Sequence, residues 1–321
     1  MTVEILSLCG PEEFARNLAA DARAGLARQP KTLPAKYFYD ARGSELFDRI
    51  TRLPEYYLTR AETSILERSA EELVALVRPR EIVEIGAGYS RKTQLLLDAL
   101  GRHGGKRFVP LDVAPAALTE AGTRLMASYP WLEFLGVCGD FERHLGAIPR
   151  SGARLVCFLG STIGNLAAEE RVPFLRNVRA MLQTNDRFLL GVDLVKPLAR
   201  LHAAYNDAEG VTEQFNKNVL LVLDRELGGN LDPEDFAHRA FYDPKRERIE
   251  MRLVALRRVE AKLAKLGLEV VFEPTEELHT EISCKFRREV VAGGFREAGM
   301  VLERWLTDER GDFALALGRP G

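Results

Sequence analysis

Short apolar runs alternate with amphipathic segments through the middle of the chain. The strand-like runs lie at 81–85, 107–113, 132–140, 153–160 and 187–195. Helical periodicity is found at 11–30, 61–77, 115–128 and 169–182. This alternation predicts a mostly parallel sheet with helices on both faces, whose ligand crevice lies beyond the carboxyl ends of the strands.

The pattern changes after Lys196. Helical segments near 197–207 and 212–227 are followed by period-two alternation at 248–259, 268–273 and 278–286. That alternation predicts an antiparallel hairpin region, and hence a second lobe. The remaining residues predict a helix and a closing pair of short strands that finish the first sheet.

The stretch IVEIGAGYSRKT at 82–93 is the sharpest local signal. It predicts a buried strand at 81–85, a tight turn through 86–88 and a helix from near Ser90, an arrangement that brings backbone N–H groups against a ligand. A dinucleotide fingerprint would need a third glycine where Arg91 stands, which disfavours NAD. Glu84, two residues before the first glycine, is typical of S-adenosylmethionine-dependent methyltransferases, whose ligand carries an amino group that suits a carboxylate. Plain packing in an α/β protein is the alternative.

Composition narrows the class of partner. The 321 residues are 46% apolar and carry a formal net charge of −2, with a pI near 6.3. Without a basic block, neither a nucleic-acid nor a membrane-surface partner is expected, and small neutral or zwitterionic ligands fit better. The four cysteine residues are scattered without a CxxC pair, which favours reduced thiols and no metal site. No signal-peptide or membrane-spanning pattern is seen, so we expect a cytoplasmic location.

Polar residues follow the predicted strands of the α/β part. Asp112 comes 24 residues after Gly88, near the offset at which a carboxylate meets ribose hydroxyls, although it also suits a helix N-cap. Asp140 can accept from an adenine amino group and Phe141 can stack on the ring, with a loop acid and a core aromatic as the alternatives. In FLGSTIGNL at 158–166, Asn165 either holds a substrate's amino or carboxylate group or caps the next helix.

Glu281 and Ser283 are two apart in a strand-like run whose intervening and following residues are apolar. They therefore share one face, which we expect opposite the core. A carboxylate beside a hydroxyl can satisfy the two nitrogens of an imidazole ring. Two solvent-facing polar residues on an amphipathic strand are the alternative reading.

Taken together, the chain resembles the bacterial histidine-specific, S-adenosylmethionine-dependent Nα-methyltransferases of ergothioneine biosynthesis. The resemblance covers nearly the whole chain and rests on motifs in the same order. They are KYFYDARGSELFDRITRLPEYY, VEIGAGYSRKT, VCGDFERHL, FLGSTIGNL, GVDLVK, AYNDAEGVTEQFNKNVL, RIEM and TEISCKF. The family's fold is α/β, with a Rossmann-like class I methyltransferase sheet and a second, smaller α+β substrate-recognition domain. Here the first domain would comprise 60–195 and 287–321, and the second 10–59 and 196–286.

The resemblance also implies ligand contacts. S-adenosylmethionine would be bound by Tyr39, Gly86, Lys92, Asp112, Asp140 and Phe141. L-Histidine would be bound by Tyr56, Gly160, Asn165, Tyr205, Thr212, Met251, Glu281 and Ser283, with Phe47 also lining the site. In the family, the Tyr56, Glu281 and Ser283 positions recognise the imidazole, and Asn165 and Tyr205 handle the amino and carboxylate end.

The implied reaction is in-line transfer of a methyl group to a neutral amine, repeated three times, with no metal and no covalent intermediate. Tyr39 and Asn165 are the candidate catalytic residues, because each released proton can pass through water or their surroundings. Rings such as Tyr39, Phe47 and Phe215 suit the cationic product by cation–π attraction. A relative that methylates tryptophan, and a module that only senses S-adenosylmethionine, are the competing readings. We expect a monomer.

Overall fold

The computed structural model describes residues 3–321. Within that range the strands are β1 (Glu4–Ser7), β2 (Lys31–Thr32), β3 (Glu81–Ile85), β4 (Arg107–Asp112), β5 (Glu133–Cys138), β6 (Arg154–Phe158), β7 (Arg187–Asp193), β8 (Phe236–Asp243), β9 (Arg248–Ala255), β10 (Val259–Leu263), β11 (Leu268–Phe272), β12 (Glu277–Cys284), β13 (Met300–Thr307) and β14 (Phe313–Pro320). The α-helices are α1 (Pro11–Leu26), α2 (Ala41–Ile50), α3 (Leu58–Val77), α4 (Gln94–Arg102), α5 (Pro115–Ser128), α6 (Phe141–His144), α7 (Ala168–Met181), α8 (Leu198–Tyr205), α9 (Val211–Leu227) and α10 (Arg288–Glu297). Short 3-10 turns cover Ala35–Phe38, Leu145–Ala147, Thr162–Asn165, Pro233–Asp235 and Ala264–Leu266.

The chain divides into two compact units. The first comprises the described residues up to Cys9, together with Leu58–Val195 and Lys285–Gly321. The second comprises Gly10–Tyr57 and Lys196–Cys284. Each unit is therefore assembled from segments that are distant in sequence.

The first unit is built on one large mixed sheet. Among the described strands its order is β1-β5-β4-β3-β6-β7-β14-β13, parallel from β1 to β7 and antiparallel at β14 and β13. The five residues of β3 and of β6 are all buried, including the charged Glu81, Glu84 and Arg154, as expected for strands covered on both faces. Strand order reverses between β3 and β6, so the crevice for a ligand lies at the carboxyl ends of these two strands.

The second unit combines helices with antiparallel sheet. Its larger sheet has the order β2-β12-β9-β8 among the described residues, and β10 and β11 form a separate antiparallel pair. α9 buries one face, which includes Phe215, Val219 and Leu223. The ring of Phe38 lies 4.7 Å from that of Phe215, which ties the N-terminal segment to this helix.

The predicted α/β architecture is confirmed, and the strand at 81–85 lies where the pattern places it. The closing pair of strands is also found, as β13 and β14. The helix predicted from near Ser90 begins instead at Gln94, because Ser90 has a left-handed φ of +48° and the next three residues form a turn. Sequence reasoning missed the strands β1, β2, β8 and β10; β1 is a parallel edge strand beside β5.

No helix in the described part of the chain combines the length and apolarity needed to cross a bilayer. Cys9, Cys138, Cys157 and Cys284 form no disulfide within residues 3–321. Residues 3–321 also contain no cluster of His, Cys, Asp and Glu side chains arranged to hold a metal ion.

Candidate functional site

The turn between β3 and α4 is built on two glycine residues with left-handed backbone. Gly86 has a φ of +65° and Gly88 a φ of +48°, a region that residues with a Cβ rarely adopt. A Cβ placed on Gly88 would meet no atom of the described protein within 4 Å. The turn therefore presents bare backbone to open space at the carboxyl end of β3.

Asp112, at the end of β4, holds this turn. Its Oδ2 accepts a hydrogen bond from the Gly88 N–H at 2.8 Å, and its Oδ1 accepts from the Ala114 N–H at 3.0 Å. Burial raises the pKa of the Asp112 carboxyl, although these N–H donors favour the ionised form. The helix-cap alternative is wrong, because Ala114 is the N-cap of α5. The carboxylate instead joins the carboxyl ends of β3 and β4.

Asp140 and Phe141 lie directly after β5. Asp140 is the N-cap of α6, and its Oδ1 accepts from the Glu142 N–H at 2.9 Å. The half-buried Phe141 ring lies 5.3 Å from that of Phe158 and 5.6 Å from that of Phe174. Asp140 thus has a structural role as a helix cap, and Phe141 is half-buried rather than part of the core.

Glu84 is turned into the protein. It is buried in β3, and its Oε2 accepts from the Thr93 hydroxyl at 2.6 Å. Burial raises the pKa of Glu84 to about 7, so the carboxyl is only partly ionised at neutral pH. Its suggested proximity to the amino group of a ligand stays a prediction.

Sequence reasoning missed Glu62, a fully buried carboxylate on α3. Glu62 forms an ion pair with Lys92, and its Oε1 and Oε2 accept from the Gly160 N–H at 2.8 and 3.1 Å. One side chain therefore links a residue predicted to bind the cofactor to one predicted to bind the substrate. A single acid in an amphipathic helix is ordinary, and its place on the buried stripe with Ile65 and Leu66 is the one available signal.

The loop after β6 is also held by buried polar groups. Ser161 has a left-handed φ of +60°, and its Oγ accepts from the Asp193 N–H at 2.9 Å. Asp193 is paired at 2.8 Å with Lys285, and both side chains are 0% exposed. Asn165 ends the following 3-10 turn and is half-buried. The N-cap of α7 is Ala167, so the capping alternative for Asn165 is wrong.

In the second unit, Tyr39, Phe47, Tyr56 and Phe215 belong to one cluster of aromatic rings. The Tyr39 ring lies 5.5 Å from Phe47 and 5.5 Å from Phe215, and the Phe47 and Phe215 rings are 5.8 Å apart. Tyr56 joins through Phe47 at 6.2 Å. The rings expected around the cationic group are therefore in mutual contact.

Glu281 and Ser283 share a face of β12, as their spacing predicts, but that face is not open to solvent. Ser283 is 5% exposed, and its Oγ accepts a hydrogen bond from the Tyr205 hydroxyl at 2.7 Å. Glu281 is half-buried and pairs in register with Met251 of β9. The expectation that this face lies opposite the core is wrong at Ser283, because Tyr205 at the end of α8 covers it.

A polar network of His238, Asn216 and Thr280 holds the backbone of Tyr205. His238 Nε2 donates to the Tyr205 carbonyl at 3.0 Å, and Asn216 Nδ2 donates to His238 Nδ1 at 2.9 Å. Because a carbonyl only accepts, the proton of His238 lies on Nε2, and because Nδ1 accepts from Asn216, the imidazole is neutral. Burial lowers the pKa of His238, which also favours the neutral ring. Thr280 donates to the other end of the Asn216 amide at 2.6 Å.

Thr212 lies in the first turn of α9 and is buried. Its N–H donates to Asp207 Oδ1 at 2.8 Å, while the Val211 N–H donates to Asp207 Oδ2 at 2.8 Å. These bonds satisfy the N–H groups exposed at the start of the helix. Thr212 is thereby fixed in the same unit as Tyr205 and Ser283.

Comparison with known proteins places these residues in a family context. The sequence profile of the family described as "Histidine-specific methyltransferase, SAM-dependent" matches residues 18–320. Histidine N-alpha-methyltransferase of Mycolicibacterium smegmatis is 49% identical over 318 residues, which cover 99% of each chain. Ergothioneine biosynthesis protein 1 of Schizosaccharomyces pombe is 34% identical over 224 residues, which cover 66% of this chain and 29% of that protein.

The fold is also found among solved structures. A crystal structure of an S-adenosylmethionine-dependent methyltransferase from Clostridium acetobutylicum matches with a TM-score of 0.51 at 12% identity. The match covers 86% of this chain and 98% of that one. At this identity the likeness concerns the fold alone, and it agrees with the Rossmann-like sheet of the first unit.

Proposed function

We propose that this chain, which belongs to the family of histidine-specific, SAM-dependent methyltransferases, transfers methyl groups from S-adenosylmethionine to the α-amino nitrogen of L-histidine. Three transfers give Nα,Nα,Nα-trimethylhistidine, or hercynine, in ergothioneine biosynthesis. In this proposal the first unit is the S-adenosylmethionine-binding domain and the second is the substrate-recognition domain.

The residues of the first unit suit S-adenosylmethionine. Bare backbone at Gly88 leaves open space where a side chain would stand, whereas a Cβ on Gly86 would lie 3.7 Å from Phe158 Cε2. Asp112 lies beside that space and suits ribose hydroxyls, while Asp140 and Phe141 suit the amino group and the ring of adenine. S-adenosylmethionine carries a carboxylate as well as its ammonium and sulfonium groups. We assign the Lys92 ammonium to that carboxylate. When bound, S-adenosylmethionine supplies an electrophilic methyl carbon.

The residues of the second unit suit an imidazole. Ser283 is held in the interior by Tyr205, and Glu281 stands two residues away on the same strand face. The buried Ser283 and its partner Tyr205 are the observation that carries the assignment of histidine, because a ring with two polar nitrogens can form hydrogen bonds with Glu281 and Ser283 that an apolar ring cannot form. We assign Tyr56 to the imidazole, and Thr212 and Met251 to the wall around it.

The amino acid end of the substrate is assigned to other residues. We propose that Gly160, Asn165 and Tyr205 contact the amino and carboxylate groups. An amide side chain such as Asn165 both donates and accepts, so it can orient a neutral amine without protonating it. We further assign Tyr39 and Asn165 to the path of the released proton. The cluster of Tyr39, Phe47 and Phe215 offers faces to a trimethylammonium group, worth about 0.5–2 kcal/mol by cation–π attraction.

Methylation of another aromatic amino acid such as tryptophan is the weaker alternative. An indole has one ring nitrogen, which only donates, so Glu281 and Ser283 would lack one partner. We further propose that the enzyme is a monomer, located in the cytoplasm, that uses no metal.

Incubation of the purified protein with S-adenosylmethionine and either L-histidine or L-tryptophan tests the proposal. Mass spectrometry should show one, two and three added methyl groups on histidine and far less product from tryptophan. Histidine recovered unmodified under conditions where tryptophan gains methyl groups would support the alternative substrate.

A further inference from the structure

Glu62 is a buried acid to which the proposed function gives no role. Its side chain is 0% exposed and lies on the buried face of α3 with Ile65 and Leu66. A carboxylate in such a place is costly to bury unless its charge is paired and its oxygens accept hydrogen bonds. An apolar side chain would fill the same space without that cost. The groups that Glu62 contacts therefore indicate what it is for.

Both partners of Glu62 stand at the ligand end of the sheet. Lys92 follows β3, and Gly160 follows β6 with a left-handed φ of +74°. These two strands are neighbours at the point where the strand order reverses. Glu62 accepts from the Gly160 N–H through both oxygens and pairs with the Lys92 ammonium, so its carboxylate joins the two loops.

The contacts around the carboxylate are close. A Cβ on Gly160 would lie 3.5 Å from Lys92 Nζ, which puts the ammonium directly beside this backbone. A Cβ on Gly191 of β7 would lie 2.3 Å from Glu62 Oε1 and 3.3 Å from the Gly160 nitrogen. Gly191 does not have a left-handed φ, so the approach of Glu62 accounts for a glycine there better than backbone conformation does.

We propose that Glu62 is a positioning residue that fixes the Lys92 ammonium for the cofactor and the Gly160 backbone for the substrate. The inference rests on the proposed function, which assigns those two residues to the two ligands. Glu62 touches neither ligand in this account. It holds the loop at Lys92 and the loop at Gly160 in one conformation before either ligand binds. Binding then requires less loss of conformational entropy.

Glu81 provides a matched control. It is also 0% exposed, and it stands at the opposite end of β3. Its Oε1 accepts from Arg154 Nε at 2.5 Å and its Oε2 from the Ser151 hydroxyl at 2.7 Å. Glu81→Gln removes a buried charge and weakens an ion pair, as Glu62→Gln does, but at the end of the sheet away from the crevice.

The test compares the wild-type protein, Glu62→Gln and Glu81→Gln by calorimetric titration with S-adenosylmethionine and by steady-state kinetics with histidine. In Glu62→Gln the amide oxygen still accepts from the Gly160 N–H, but the NH₂ group cannot pair with an ammonium. We expect a cofactor Kd about tenfold higher and a raised KM for histidine, since a charge-assisted bond is lost. Glu81→Gln should lose folding stability and keep both constants within about twofold.

The proposal would be overturned if a folded Glu62→Gln had the same cofactor Kd and histidine KM as the wild type. It would also be overturned if Glu62→Gln and Glu81→Gln showed equal increases in these two constants. If the wild type itself bound no cofactor, the proposed function would fall as well, so the two failures are distinguishable. Should Glu62→Gln not fold, amide hydrogen exchange of the wild type decides. A slowly exchanging Gly160 N–H supports the contact with Glu62, and exchange at the rate of an open loop contradicts it.

Discussion

Ser283 is the buried hydroxyl that we propose recognises the imidazole of the substrate. It accepts a hydrogen bond from the Tyr205 hydroxyl inside the second unit. Residue spacing places Ser283 and Glu281 on one face, but spacing alone does not say whether that face is covered. Tyr205 is 78 residues away in sequence. The contact that buries Ser283 was therefore out of reach of local pattern.

Substitution of Ser283 by Ala tests this role. We expect the KM for histidine to rise about fivefold, because the ring nitrogen loses a hydrogen-bond partner worth about 1 kcal/mol in the bound state. Affinity for S-adenosylmethionine should change little. Ser69→Ala is the control, since Ser69 is also buried but donates to the Ile65 carbonyl of its own helix at 2.7 Å. An equal rise of KM in both variants would argue against a specific contact.

The pH dependence of stability tests the environment of Glu84. Its pKa is raised from 4.5 to about 7 in the folded protein, so folding favours the protonated form. The contribution of the protonated Glu84 to the free energy of unfolding is therefore fully present below pH 4.5 and is lost as the pH rises through about 7. Glu84→Gln stays neutral and can still accept from Thr93.

Relative to wild type, the free energy of unfolding of Glu84→Gln should therefore increase between pH 5 and pH 8. One pKa unit corresponds to about 1.4 kcal/mol, so we expect a relative gain of roughly 1–3 kcal/mol. Urea denaturation at several pH values measures it. Parallel curves for the two proteins would show that Glu84 is ionised throughout.

At the scale of elements, the turn after β3 is the segment that we propose contacts the cofactor. The apolar run and the two glycine residues are sufficient to predict strand, turn and open backbone. The start of α4 at Gln94 is not predictable from them, because it depends on the left-handed Ser90 and on Thr93 bonding to Glu84. Those contacts arise only once the turn has closed against β3 and β4.

A comparison of Gly88→Ala with Gly104→Ala separates the effect of backbone strain from the effect of ligand contact. Gly88 lies in this turn, and Gly104, which follows α4, is the control. Both glycine residues have positive φ, +48° and +79°, and a Cβ on either would meet no described protein atom within 4 Å. Each substitution should cost about 1 kcal/mol of stability from strain. We expect only Gly88→Ala to weaken binding of S-adenosylmethionine, by about tenfold or more, because the new methyl group enters the space assigned to the ligand. Similar cofactor affinities in the two variants would mean that Gly88 is required by conformation alone.

At the scale of the whole molecule, the α/β architecture was predictable because buried parallel strands and amphipathic helices leave strong periodic signals. β1 and β8 escaped notice because one has four residues and the other has only two buried positions. Glu62 escaped because the contact that gives it meaning spans 98 residues to Gly160. The resemblance of whole motifs, rather than periodicity, carried the assignment of individual ligand contacts.

Transfer of an isotope-labelled methyl group tests the central claim most directly. The wild-type protein would be incubated with L-histidine and S-adenosylmethionine carrying ¹³C in its methyl group, and the product examined by NMR. We expect label in equivalent methyl groups bonded to the α-amino nitrogen, with an unmodified imidazole ring. Label on a ring nitrogen, or none on histidine at all, would contradict it.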